Sequence, residues 1–165
     1  MQQLLMVLVI LLLFNRCSIK SQVPNLDVQV DNITKMKSKD NKDCDLFSVS
    51  VNLMNNTDSV VRYWTMTCSW QENWVYNYNT IHFHYDDCDS NFPTLEELKP
   101  NQKKTFNGVI ENWHSLNTLS IKYYKIGFVL INEKEVAHDS DFEKVLVDKI
   151  KNKKDIIWSK AFELN

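Results

Sequence analysis

Phe47-Ser48-Val49-Ser50-Val51-Asn52-Leu53 alternates apolar and small polar residues without a break. Side chains two apart share one face of an extended strand, so Phe47, Val49, Val51 and Leu53 line a dry face and Ser48, Ser50 and Asn52 a wet one. The stretch reads as a half-buried strand, and Asn55-Asn56-Thr57-Asp58 turns the chain after it.

The same period governs the flanks. Val60 to Trp70 is rich in aromatic and β-branched residues and places Trp64, Met66, Cys68 and Trp70 on one side, with Tyr63, Thr65, Thr67 and Ser69 on the other. The tryptophans of that set are expected in the core. Upstream, Leu26, Val28 and Val30 suit an edge strand, followed by a charged loop from Lys35 to Asp45. Downstream, Trp74 to Tyr78 and Ile81 to Tyr85 predict two short strands parted near Asn79, and Asp86 to Asn91 an acidic loop. Leu98-Lys99-Pro100-Asn101 reads as a turn, Lys104 to Ile110 as a strand, and Leu119 to Ile131 as a central strand bent at Tyr123-Tyr124.

One helix interrupts the pattern. Ser140-Asp141-Phe142-Glu143 is a capping box, Phe142, Val145, Leu146 and Ile150 follow at helical spacing, and Lys149, Lys151, Lys153 and Lys154 gather where the dipole favours cations. Ile156, Trp158, Phe162 and Leu164 then alternate into a last strand expected to pair with Leu119 to Ile131.

Strands with a turn about every ten residues predict a mainly β fold, an antiparallel immunoglobulin-like β-sandwich with one short helix near the C-terminus. The Leu98-Lys99-Pro100-Asn101 turn before a strand makes residues 26 to 164 similar to immunoglobulin-like modules of secreted bacterial proteins. The family's core cysteine pair around a buried tryptophan is not present at the expected spacing, so the resemblance concerns the fold and transfers no functional residue.

Leu4 to Phe14 is an apolar run of eleven residues, the length of a secretory h-region and short of the roughly 20 residues that span a bilayer. A signal peptide over 1 to 21, cut after Ser21, leaves one domain from Gln22 to Asn165 and a secreted or periplasmic location. Cys17 offers lipidation and a membrane tether, but Asn15-Arg16 before it is neither small nor apolar. Removing Arg16 and Lys20 from the 19 basic side chains leaves 17 against 21 acidic ones, a net charge of −4, which argues against nucleic acid as a partner. Gly108 and Gly127 are the chain's two glycines, too few for a Walker loop, a dinucleotide fingerprint or a G-x-S-x-G elbow.

In an oxidising compartment Cys68 and Cys88 are expected to pair across about 20 residues, a bridge worth roughly 3 kcal/mol. Cys44 is left to pair with either of them, to stay a buried thiol or to cross-link two chains. His82 and His84 share a face about 6.6 Å apart and form a metal-ligand pair for zinc or copper, with Asp86 the nearest of several carboxylates as a third ligand. Asp86, Asp87 and Asp89 lack the spacing of a calcium loop. Trp74 and Trp113 are the tryptophans expected at the surface, where a sugar ring could stack. Glu96-Glu97 reads as a wet helical turn, and Asn32-Ile33-Thr34 and Asn55-Asn56-Thr57 as glycosylation sequons at the surface.

The expectation is an exported non-enzymatic module, requiring no cofactor, that binds an unknown protein or cell-envelope partner, with the Leu26 to Val30 edge as a docking strand. The alternative is a ligand-binding module, for metal through His82 and His84 or for carbohydrate through Trp74 and Trp113; a hydrolase comes third.

Overall fold

A computed structural model describes residues 24–37, 43–85, 88–113 and 123–164. The alternating stretch lies in a strand of twelve residues, Cys44–Asn55, in which Phe47, Val49, Val51 and Leu53 are buried. Each such side chain contributes about 1.5–3 kcal/mol on burial. The other face is joined side chain to side chain across three strands: Asn52 donates to the Asp31 carboxylate at 2.6 Å and accepts from the Thr105 hydroxyl at 2.7 Å.

In chain order the strands are β1 (Leu26–Lys35), β2 (Cys44–Asn55), β3 (Val61–Met66), β4 (Trp74–Tyr76), β5 (Ile81–Phe83), β6 (Pro93–Leu98), β7 (Lys103–Trp113), β8 (Ile126–Val129) and, after helix α1 (Phe142–Asn152), β9 (Ile156–Trp158). The fold is mainly β. All the strand pairs are antiparallel, in the orders β1-β2-β7-β5, β3-β6 and β4-β8-β9. Chain downstream of β8 also meets β3, where the Trp64 N–H donates to the Ile131 carbonyl at 2.8 Å.

Aromatic rings hold the strand groups to a common core. Trp74 on β4 lies 6.2 Å from Phe83, 5.4 Å from Phe106 and 5.0 Å from Phe128 between ring centres, and Tyr63 on β3 meets Phe128 edge-on at 5.3 Å. A second cluster, with Val129, Ile131, Val136, Phe142 and Leu146, covers the opposite side with α1. All four residues of β8 are therefore buried, Ile126 and Phe128 in the main cluster, Val129 in the second and Gly127 beneath Ile156 and Trp158. β3 is treated the same way, which corrects its predicted facing: Tyr63 and Thr65 point to the main core, while Trp64 and Met66 pack half-buried toward the helix side.

Other expectations shift for local reasons. Glu96 and Glu97 lie on strand β6 rather than on a helical turn, pointing to opposite faces, with Glu97 paired to Arg62 at 2.7 Å and Glu96 to Lys104 at 3.1 Å. The helix starts at Phe142 with Asp141 as its N-cap, because Asp139–Asp141 already forms a 3-10 turn in which the Asp141 carboxylate accepts from the His138 N–H at 3.2 Å. Lys149 is only 4% exposed and ties α1 to its surroundings through Asp155 at 2.6 Å and Glu135 at 2.8 Å. Of the predicted central strand, Ile126–Val129 is extended and residues 119–122 lie outside the described residues. The last strand pairs with β8 as expected, and Tyr124 and Phe162 exchange backbone bonds beyond it.

Asn55 belongs to the fold, not to the surface. Its amide donates to the carbonyls of Ser59 and Leu98 at 2.8 and 2.9 Å, and its oxygen accepts from the Thr57 N–H and hydroxyl at 3.0 and 2.7 Å. It thereby ties the turn after β2 to the turn after β6, and a fully buried amide is closed to glycosylation. Asn101, with φ 57°, takes the left-handed position of that second turn, which asparagine tolerates.

Trp158 is 40% exposed, not in the core as its register suggested, because it lies over Gly127 opposite it on β8. A Cβ on Gly127 would stand 2.6 Å from Ile156 Cγ2 and 2.9 Å from Trp158 Cε3. Ile156 is branched at its own Cβ and cannot swing clear. Gly127→Ala is expected to destabilise the protein by about 1–3 kcal/mol through overpacking, read as a lower urea midpoint at unchanged slope; an unchanged midpoint would contradict the contact.

Candidate functional site: an imidazole and carboxylate cluster on the β5 edge

β5 is a short edge strand whose register sets His82 directly opposite Glu111 on β7. The chain stays in register one step further, where the His84 N–H donates to the Val109 carbonyl at 2.8 Å. His82, His84, Glu111 and Trp113 consequently share the face away from Phe83 and Ile110, which are buried in the core. His82 Nε2 stands 2.9 Å from Glu111 Oε2 and His84 Nδ1 2.6 Å from Oε1, so each imidazole addresses its own carboxylate oxygen. The Trp113 indole N–H donates to Oε2 at 3.0 Å, and its ring stacks on His82 with 10° between the planes. The imidazoles cover the carboxylate: side-chain exposure is 40% for His82 and 52% for His84 but 16% for Glu111.

Burial alone would push the Glu111 carboxyl up, but the bonds from His84 and Trp113 and the charge of His82 outweigh it and hold the group below its ordinary value. A carboxyl lowered in the folded state stabilises the fold fully above the ordinary glutamate range, about pH 4.3, and loses that contribution as pH falls through the lowered value. The difference in urea midpoint between the unaltered protein and Glu111→Gln is therefore expected to shrink on acidification below about pH 4. A difference that grows in acid would contradict the assignment.

Cys44 lies opposite Trp113 on β2 and is buried. Burial first, then the charges of Glu111 and Asp45, push its thiol up, against a smaller opposite effect of the Asn112 backbone. Such a group stays protonated and is a poor nucleophile. Cys68 and Cys88 form the expected disulfide, with Cα atoms 6.2 Å apart. Of the outcomes open to Cys44, the structure thus has the buried thiol.

No protein-family model and no curated protein matches the chain.

The two histidines come together as the period of two requires, whereas Asp86 lies outside the described residues. The group they meet is Glu111, which is 29 positions from His82 and 27 from His84. The predicted strand ended at Ile110; carrying the alternation three residues further, through Glu111-Asn112-Trp113, would have placed Glu111 on the outward face of β7, while its place opposite His82 is set by strand register. Among the described residues no group of three or more histidine, cysteine, aspartate or glutamate side chains is placed to hold a metal ion. The predicted sugar platform is corrected: Trp74 is 4% exposed, enclosed by Phe83, Phe106 and Phe128, whereas Trp113 is 42% exposed. Two imidazole nitrogens and two carboxylate oxygens, steadied by an indole, are what this face offers to a ligand.

Proposed function

We propose that the protein is exported and acts as a non-enzymatic binding module, an immunoglobulin-like sandwich that engages a protein or cell-envelope partner by strand addition. The eleven-residue apolar run and the Cys68–Cys88 bridge, which belongs in an oxidising compartment, support export. The observation that carries the binding reading is the edge position of β1, which is laddered to β2 on one side. On its other side a groove of about 320 Å³ runs between Asp27–Asp31 and Lys160–Phe162. An extended peptide entering there would add its backbone bonds to β1 and place alternate side chains in the groove.

Deleting residues 22 to 31 is not a usable test, since Leu26 and Val28 are buried in the core. Asp27→Lys together with Gln29→Lys changes outward side chains only. The double variant is expected to keep the unfolding midpoint and to lose a partner that a cross-linker placed at Lys160, across the groove, captures with the unaltered edge; retained capture would count against the edge. Intact mass of protein from its native compartment tests export, with Gln22 as the expected first residue and an added acyl mass on Cys17 as the tethered alternative.

A further inference from the structure

We propose, on the strand-addition reading, that the occupant of the β1 edge is an extended peptide with basic residues at the two positions facing Asp27 and Asp31. Strand register decides which backbone groups are open to it. The Asn56 N–H donates to the Asn25 carbonyl at 3.0 Å, and in an antiparallel pair such bonded positions recur at every second residue. Asp27, Gln29 and Asp31, opposite Met54, Asn52 and Ser50, therefore turn their backbone groups to β2, while Val28 and Val30 turn theirs to the groove. Among the described residues no backbone bond joins Val28 or Val30 to Lys160, Ala161 or Phe162 on the far wall. The open rail is short. Beyond Asp31 the register shifts and Asn32 stands at φ 54°, a bulge that turns the edge away.

Side chains then select the occupant. Asp27, Gln29 and Asp31 line the wet face beside this rail, and Val28 and Val30 pack toward the main core. The Asp27 carboxylate accepts from the Gln29 amide at 3.0 Å and the Asp31 carboxylate from the Asn52 amide at 2.6 Å, but among the described residues neither forms an ion pair. Lys160 is the one cation lining the groove, and it pairs with neither of them. A second copy of this chain fits badly: the antiparallel register that pairs Val28 with Val30 of the copy sets Asp27 against Asp31 twice, and like charges directly opposite are destabilising. A basic side chain in either place is attracted instead. The complementary segment thus reads basic, apolar, polar, apolar, basic, with its apolar pair turned toward Val28, Val30 and Phe162.

Nuclear magnetic resonance titration of the isotope-labelled protein with the capped peptide Lys-Val-Thr-Val-Lys tests this, beside the counterparts Ser-Val-Thr-Val-Ser and Glu-Val-Thr-Val-Glu. The expected result is a shift of the Val28 and Val30 amide signals, with the basic peptide bound about fivefold or more tightly than the acidic one at low salt. That preference should vanish in about 1 M salt, a comparison made on the unaltered protein, and in the nearly isosteric double variant Asp27→Asn with Asp31→Asn. Equal binding of all three peptides at Val28 and Val30 would overturn the charge selection while leaving strand addition standing. No shift at either amide with any peptide would overturn both. Shifts at those amides that follow protein concentration without peptide would make a second copy the occupant and overturn the proposal.

Discussion

Trp74→Ala is expected to lower the unfolding free energy by about 3–5 kcal/mol, the range for removing a large aromatic ring from a core. Trp74 touches Phe83 from the β1-β2-β7-β5 sheet, Phe106 from the same sheet and Phe128 from β8, so its removal leaves a cavity where separately hydrogen-bonded strand groups meet. None of these neighbours can collapse into the gap without leaving its own ladder. Since a domain of this size is stable by about 5–15 kcal/mol, the variant should unfold at much lower urea or fail to accumulate. Trp113→Ala, by contrast, removes a ring 42% exposed at the end of β7 and should cost far less. Equal losses for the two variants would contradict the placement of Trp74.

Replacing Cys68 and Cys88 together by serine is expected to cost roughly 3 kcal/mol, from the entropy of the chain segment that the bridge closes in the unfolded state. The sequence separation is 20, and the segment contains β4 and β5. In the folded state the ends stay held without the bridge: the Asn91 side chain accepts from the backbone N–H groups of Cys68 and Ser69 and donates to the Ser69 hydroxyl. The loss should therefore appear as a lower unfolding temperature with little change in near-ultraviolet circular dichroism at low temperature. Adding reductant to the unaltered protein should reproduce it. A shift below about 1 kcal/mol would mean that the unfolded chain keeps this segment ordered.

What the sequence disclosed depended on how many sides of an element are covered. β2 has one dry and one bridged polar face, and its alternation reads directly. β3 has apolar cover on both, from the main core and from the helix side, so alternation between two sets of large residues does not tell which faces inward; Tyr63 and Trp64 exchanged their expected roles. β6 was hidden because Glu96 and Glu97 stand side by side, with charge partners on neighbouring strands that no local pattern announces. Of the cluster on the β5 edge, the paired histidines were legible because two residues on one strand share a face. Glu111 was not, since its position beside them is a matter of strand register set by β7. Trp74 and Trp158 were misplaced for a related reason: a bare glycine on a partner strand can hold a tryptophan at the surface, and three rings from other strands can enclose one.

The knot made by Asn55 has a consequence for chemical ageing. Deamidation would exchange its nitrogen for oxygen, turning the donor that now serves the Ser59 and Leu98 carbonyls into a negative acceptor pressed against them. A lesion of one mass unit would thus unfasten both turns at once. Slow hydrolysis at that amide, in stored protein, is then a route by which the molecule loses its shape without any bond in its backbone being cut.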